Sequence, residues 1–128
     1  MYKAGDHMKL QESGEDYLES ILKIERQKGV VRSIDIANDL HVSKPSVSRA
    51  IHILEERGFI HIQDNILVLS DTGREIAEKI YERHLLFTDF LVHIGVDEET
   101  AAEDACRMEH ALSDKSFAAL KSYIETHK

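Results

Sequence analysis

The chain has 128 residues, 42% hydrophobic and 31% charged, the balance expected of a soluble globular protein with one core or two small ones. Its longest apolar runs are broken by charge well before the roughly 18 residues a membrane span requires, and no charged-then-apolar leader precedes them, so a cytoplasmic protein with no membrane partner is expected. A single cysteine excludes an internal disulfide, leaving Cys106 as a buried small residue, a reactive thiol or a ligand; the formal net charge of −8 weighs against a general nucleic-acid binder, although the acidic excess lies mostly after residue 70.

Residues 1–12 lack a clear pattern and read as an N-terminal arm. Ser13-Gly-Glu-Asp16 resembles a capping box, and the stripe Tyr17, Leu18, Ile21, Leu22 predicts a first helix from about Gly14 to Gln27, ended by Gly29. Ile34, Ile36, Ala37 and Leu40 predict a short second helix capped near Ser33. His41-Val42 turns into a third helix capped by Ser43, whose first turn tolerates Pro45 because that position needs no N–H. Along it Val47, Ala50, Ile51 and Leu54 face one way and leave Lys44, Ser46, Ser48, Arg49 and His52 accessible, until Gly58 closes it. Phe59-Ile-His-Ile and Ile66-Leu-Val-Leu predict two strands around the turn-prone Gln63-Asp64-Asn65. Three helices followed by a β-hairpin make a winged helix-turn-helix, assigned to residues 13–71.

Asp71-Thr72 is the expected cap of a long fourth helix with Ile76, Ile80, His84, Phe87, Leu91 and Ile94 along one side and Gly95 at its end. A fifth helix is expected from near Asp97 through His110, and a last one capped by Ser113-Asp114 and carrying Phe117, Leu120 and Ile124. The fold class is therefore mainly α, a winged helix followed by an all-α unit over residues 72–128. That unit has too few apolar residues for a large core of its own, which predicts a homodimer.

Two constellations carry chemistry. A helix-turn-helix lays its second helix in the major groove of double-stranded DNA, with hydroxyls and cations near its start gripping phosphates and reaching base edges; Ser43, Lys44, Pro45, Ser46, Ser48 and Arg49 are placed to do so. Cys106-x-x-Glu109-His110 spaces a thiolate, a carboxylate and an imidazole three and four residues apart, so that they could converge on one cation. Asp16 and Glu19 are three apart on the first helix, where acidic residues equally complement the helix dipole. His84 reads on its own as either a hydrogen-bonded core histidine or a ligand. No glycine-rich phosphate loop and no Ser/His/Asp arrangement points to an enzyme.

Glu15-Asp-Tyr-Leu18, Asp35-Ile-Ala37, Val42-Ser-Lys-Pro-Ser-Val-Ser48, Leu69-Ser-Asp-Thr-Gly73, Arg83-His84 and Ala105-Cys-Arg-Met-Glu-His110 together resemble the DtxR/MntR family of metal-dependent repressors, from Glu15 to about Leu120. The resemblance implies a homodimer whose winged helices bind a palindromic operator, activated by Mn2+ or Fe2+ with up to two ions per subunit, and controlling metal-uptake genes. It further implies one centre made by Asp16, Glu109, His110 and the Cys106 carbonyl, and a second made by Glu19, His84, the Cys106 side chain and a shared Glu109. Asp16, Glu19 and the short length resemble the manganese-responsive branch. Cys106 resembles the iron-responsive branch, whose ancillary histidine and glutamate are replaced by Ala102 and Thr88. Oxygen donors suit manganese, whereas a thiolate favours softer ions such as Fe(II), Co(II) or Zn(II).

Overall fold

The structure, a computed structural model, describes residues 12–127; residues 1–11, within the expected arm, lie outside that range. It divides into two compact units, one up to Glu78 and one from Lys79, with the boundary inside the long helix.

The first unit contains α1 (Glu12–Lys28), α2 (Ser33–Leu40), α3 (Lys44–Glu56), β1 (Ile60–Gln63), β2 (Ile66–Leu69) and the opening of α4 (Asp71–His93). Its core is the predicted stripes closed on one another: Leu18, Ile21 and Leu22 from α1, Ile36 from α2, Val47, Ile51 and Leu54 from α3, and Ile60 and Leu67 from the hairpin are all buried. Ser13 lies within α1 and does not cap it, unlike the capping-box pattern. A serine's preference for the cap is worth only about 1 kcal/mol, so burial of the stripe sets the helix and the start can shift. α2 is anchored to α1 by polar contacts, with the Ser20 hydroxyl donating to Asp39 at 2.7 Å and Lys23 paired to the same carboxylate at 2.7 Å. Its cap is Arg32, the residue before Ser33: the Asp35 carboxylate accepts the Arg32 N–H at 2.9 Å and pairs with Lys28 at 2.9 Å.

α3 begins where the sequence predicts it, with the Ser43 side chain accepting the Ser46 N–H at 3.2 Å. In the hairpin Ile60 pairs with Leu69 and Gln63 with Ile66, leaving Asp64 and Asn65 as a two-residue turn with φ of 53° and 66°. Asparagine and aspartate tolerate that left-handed region better than other side chains, and such a turn matches the twist of the strands. The segment before α2 adds a feature that the pattern missed, an isolated bridge from Arg32 to Ile66 supported by the Leu67 N–H donating to the Val31 carbonyl at 2.8 Å.

α4 is capped by Ser70, not by Asp71-Thr72. The Ser70 hydroxyl accepts the Gly73 N–H at 3.1 Å while donating to the Gly58 carbonyl at 2.7 Å, so one side chain serves both the helix start and the loop beneath it. Gly73 is required there because a Cβ would lie 2.0 Å from the Phe59 carbonyl oxygen. Arg74 then meets Glu25 of α1 through two bonds of 2.9 Å.

The second unit holds the rest of α4, α5 (Glu98–Met108) and α6 (Asp114–Thr126). Gly95, at φ 111°, ends α4 and lets the Val96 N–H reach back to the Leu91 carbonyl at 2.9 Å. Asp97 and Ser113 cap the next two helices by accepting from Thr100 and Ser116. Phe87, Ala105 and Phe117 form the core with Leu86, Met108 and Leu112 against it, and the two rings meet edge to face at 5.8 Å. Ile94 and Leu120, members of the apolar stripes, are 59% and 40% exposed. Ile94 falls past the last turn of α4, where the stripe no longer has a helix to follow. No helix among the described residues is long and apolar enough to cross a membrane.

Candidate metal centre and nucleic-acid interface

α5 stops at Met108, two residues short of the expected end, because the Ala111 N–H turns back to the Met108 carbonyl at 3.1 Å. Glu109 therefore caps the helix and His110 leaves it, so the three residues do not share one helix face. Glu109 is fully buried, whereas Cys106, one turn earlier, is exposed.

Around Glu109 the second unit gathers two imidazoles. His84 Nδ1 of α4 lies 2.9 Å from one carboxylate oxygen and His110 Nε2 lies 3.4 Å from the other, with their side chains 25% and 5% exposed. A carboxylate without solvent is costly unless a cation or strong donors compensate it. Two imidazoles and one carboxylate form a mixed nitrogen and oxygen donor set of the kind that holds a divalent first-row metal, so the chemistry of these residues fits such an ion. Asp16 and Glu19 belong to the first unit; both are half-buried and three apart on α1.

Arg83, next to His84, is 4% exposed and serves this turn rather than solvent. Its guanidinium donates to the Glu109 carbonyl at 3.1 Å, to the Leu112 carbonyl at 2.7 Å and to the Asp114 carboxylate at 2.7 Å, and it lies 4.9 Å from the centre of the Phe117 ring. A planar fork with fixed donors suits that role better than an ammonium would. One side chain thus fixes the backbone that carries Glu109 and His110. The sequence contained Arg83 only as a neighbour of His84; nothing in its spacing announced carbonyl partners 26 and 29 residues away.

On α3, Ser43, Lys44, Pro45, Ser48 and Arg49 are exposed and Ser46 is half-buried. The Ser43 hydroxyl donates to the Ser46 hydroxyl at 2.9 Å, and an Arg49 nitrogen lies 3.5 Å from that same oxygen. Behind them Tyr17 is buried, and desolvation holds its phenol above the ordinary range against the opposing charge of Arg49. The result is a start of helix rich in hydroxyls and cations, packed on a rigid core, with a hairpin following it.

Residues 9–65 match the family described as iron dependent repressor, N-terminal DNA binding domain, and residues 70–128 match iron dependent repressor, metal binding and dimerisation domain. An HTH-type transcriptional regulator of Methanocaldococcus jannaschii is 35% identical over 122 residues, covering 93% of this chain and 98% of that protein. The transcriptional regulator MntR of Bacillus subtilis is 35% identical over 114 residues, covering 88% of this chain and 80% of its own length. Among solved structures, the metal-dependent transcriptional regulator MtsR superimposes with a TM-score of 0.80 at 29% identity over 88% of this chain, and a manganese-dependent transcriptional repressor in complex with manganese with 0.79 at 28% over 88%. This chain spans about half of those two solved chains, 53% and 52% respectively. With a DNA-binding model over one half, a metal-binding and dimerisation model over the other and relatives of 35% identity over most of its length, the chain belongs to the DtxR/MntR family of metal-dependent transcriptional repressors.

Proposed function

We propose that this protein is a Mn(II)- or Fe(II)-activated repressor that acts in the cytoplasm, binds palindromic operators as a homodimer and controls genes of metal uptake. Residues 13–71 read the operator, and residues 72–128 hold the ion and pair with a second copy. The observation that carries this reading is the buried Glu109 carboxylate between His84 and His110 on the same chain as a winged helix-turn-helix. Asp16 and Glu19 of α1 and Cys106 of α5 complete the ligand set in this proposal, and Ser43, Lys44, Pro45, Ser46, Ser48 and Arg49 face the DNA.

An ion bound to such a set supplies the positive charge that lets several carboxylates lie close together. The chain's own residues prepare for it. Arg83 fixes the turn that carries Glu109 and His110, and the Glu109 carboxylate orients the His84 imidazole. Cys106 supports a second reading, a response to Zn(II) or Co(II), because a thiol prefers softer ions than manganese.

Gel-shift titration against the DNA upstream of its own gene, after chelation and under anaerobic, reducing conditions that spare Cys106 from oxidation, tests the proposal. Binding that appears only on addition of Mn(II) or Fe(II) is the expected result. Equal binding with and without metal would remove the switch, and activation by Zn(II) or Co(II) alone would favour the second reading.

A further inference from the structure

α3 presents one more polar group than the helix start accounts for. His52 is exposed, four residues after Ser48 and three after Arg49, so it stands one turn further along the same face. Its Nδ1 lies 2.7 Å from the Ser48 carbonyl oxygen. A carbonyl oxygen only accepts, so this contact requires the proton on Nδ1, and the neutral ring then carries its lone pair on Nε2. The bond fixes both the orientation of the ring and the tautomer. Lys44 and Arg49 only donate and the Ser46 and Ser48 hydroxyls can do either, whereas the neutral His52 ring presents at Nε2 a hydrogen-bond acceptor in a fixed orientation.

An acceptor finds no partner on the phosphate backbone, whose oxygens also accept. In the major groove it finds one on two bases only: the exocyclic amino groups N4 of cytosine and N6 of adenine donate there, whereas guanine N7 and O6 and thymine O4 accept. We infer that His52 is a specificity-determining residue that reads a cytosine or an adenine through Nε2 at one position in each operator half-site. This rests on the DNA-binding role of α3 proposed above.

The test is selection of the full-length protein, with Mn(II), on a random duplex library, followed by affinities for the selected operator carrying each of the four bases at every position. Wild type is expected to favour cytosine or adenine at one symmetric pair of positions by roughly five- to a hundredfold. His52→Leu, which keeps bulk and helix propensity but removes the acceptor, should flatten that position and leave the rest of the profile intact. His52→Gln, which restores an acceptor, should recover a preference for adenine there. An unchanged profile in His52→Leu overturns the inference, and so does uniform weakening across all sequences, the signature of a backbone contact. Failure of the wild type to select any sequence would instead overturn the DNA-binding role of α3, and this assignment with it.

Discussion

Glu109 concentrates the chemistry of the C-terminal unit in a single carboxylate, buried and faced on each oxygen by an imidazole. Glu109→Gln keeps its shape and removes its charge, so affinity for Mn(II) is expected to fall by at least about tenfold, a loss that even residues outside the ligand shell can cause. Calorimetric titration measures it, and an unaltered affinity would detach Glu109 from the metal. Gly73 makes a contrasting case in which the backbone alone decides. With the Phe59 carbonyl oxygen 2.0 Å from where a Cβ would stand, Gly73→Ala forces the loop and helix apart and should cost about 1–3 kcal/mol, read as a lower urea midpoint with unchanged slope. Residues with local logic were legible in the sequence: Glu109 and His110 stood out by spacing, and Ser43 by its place before a helix start. Arg83 did not stand out, because its partners are carbonyls and a carboxylate that only the folded chain brings within reach.

The elements follow from capping and burial, and they depart from the sequence pattern where these two compete. The α3 cap, the hairpin and the ends marked by Gly58 and Gly95 were readable, since each rests on one or two residues with a strong local preference, Ser43 for capping, Asp64 and Asn65 for the turn, and the glycines for positive φ. The start of α4 was not, because Ser70, Asp71 and Thr72 are all good caps and the choice fell to the one whose hydroxyl also reaches the Gly58 carbonyl. The exposed Ile94 and Leu120 show a further limit: an apolar stripe at helical spacing reads the same whether or not each of its members faces its own core. At the start of α2, the Asp35 carboxyl is held below the usual aspartate range, first by the hydrogen bond from Lys28 and next by the Arg32 N–H. A carboxyl whose pKa is depressed by folding contributes stability that is fully present above its unfolded pKa of about 3.9 and is lost as pH falls through the folded value. The difference in urea midpoint between wild type and Asp35→Asn should therefore be constant at neutral pH and narrow below about pH 4. A gap that stayed constant through that range would show that the Lys28 and Arg32 contacts do not stabilise the charged form.

At the scale of the whole molecule, the proposal joins two binding events on one chain, and thermodynamics restricts how they can be related. If Mn(II) raises affinity for the operator by some factor, the operator must raise affinity for Mn(II) by the same factor, because both routes lead from free protein to the same complex. Couplings of this kind are typically about 5- to 150-fold. The Mn(II) dissociation constant, measured by competition with a chelator, is expected to fall by that factor when operator DNA is added and to stay unchanged with a scrambled duplex. Arg49→Ala separates the two halves of the cycle: Arg49 is exposed on α3, so its loss should weaken operator binding while leaving Mn(II) affinity of the DNA-free protein as it was. Glu109→Gln should do the reverse, leaving the weak metal-free affinity for DNA intact and removing its response to the ion. If operator DNA left the Mn(II) affinity unaltered while Mn(II) still appeared to promote binding, the ion would be acting on the DNA or on protein aggregation, and the two functions of this chain would be independent of one another.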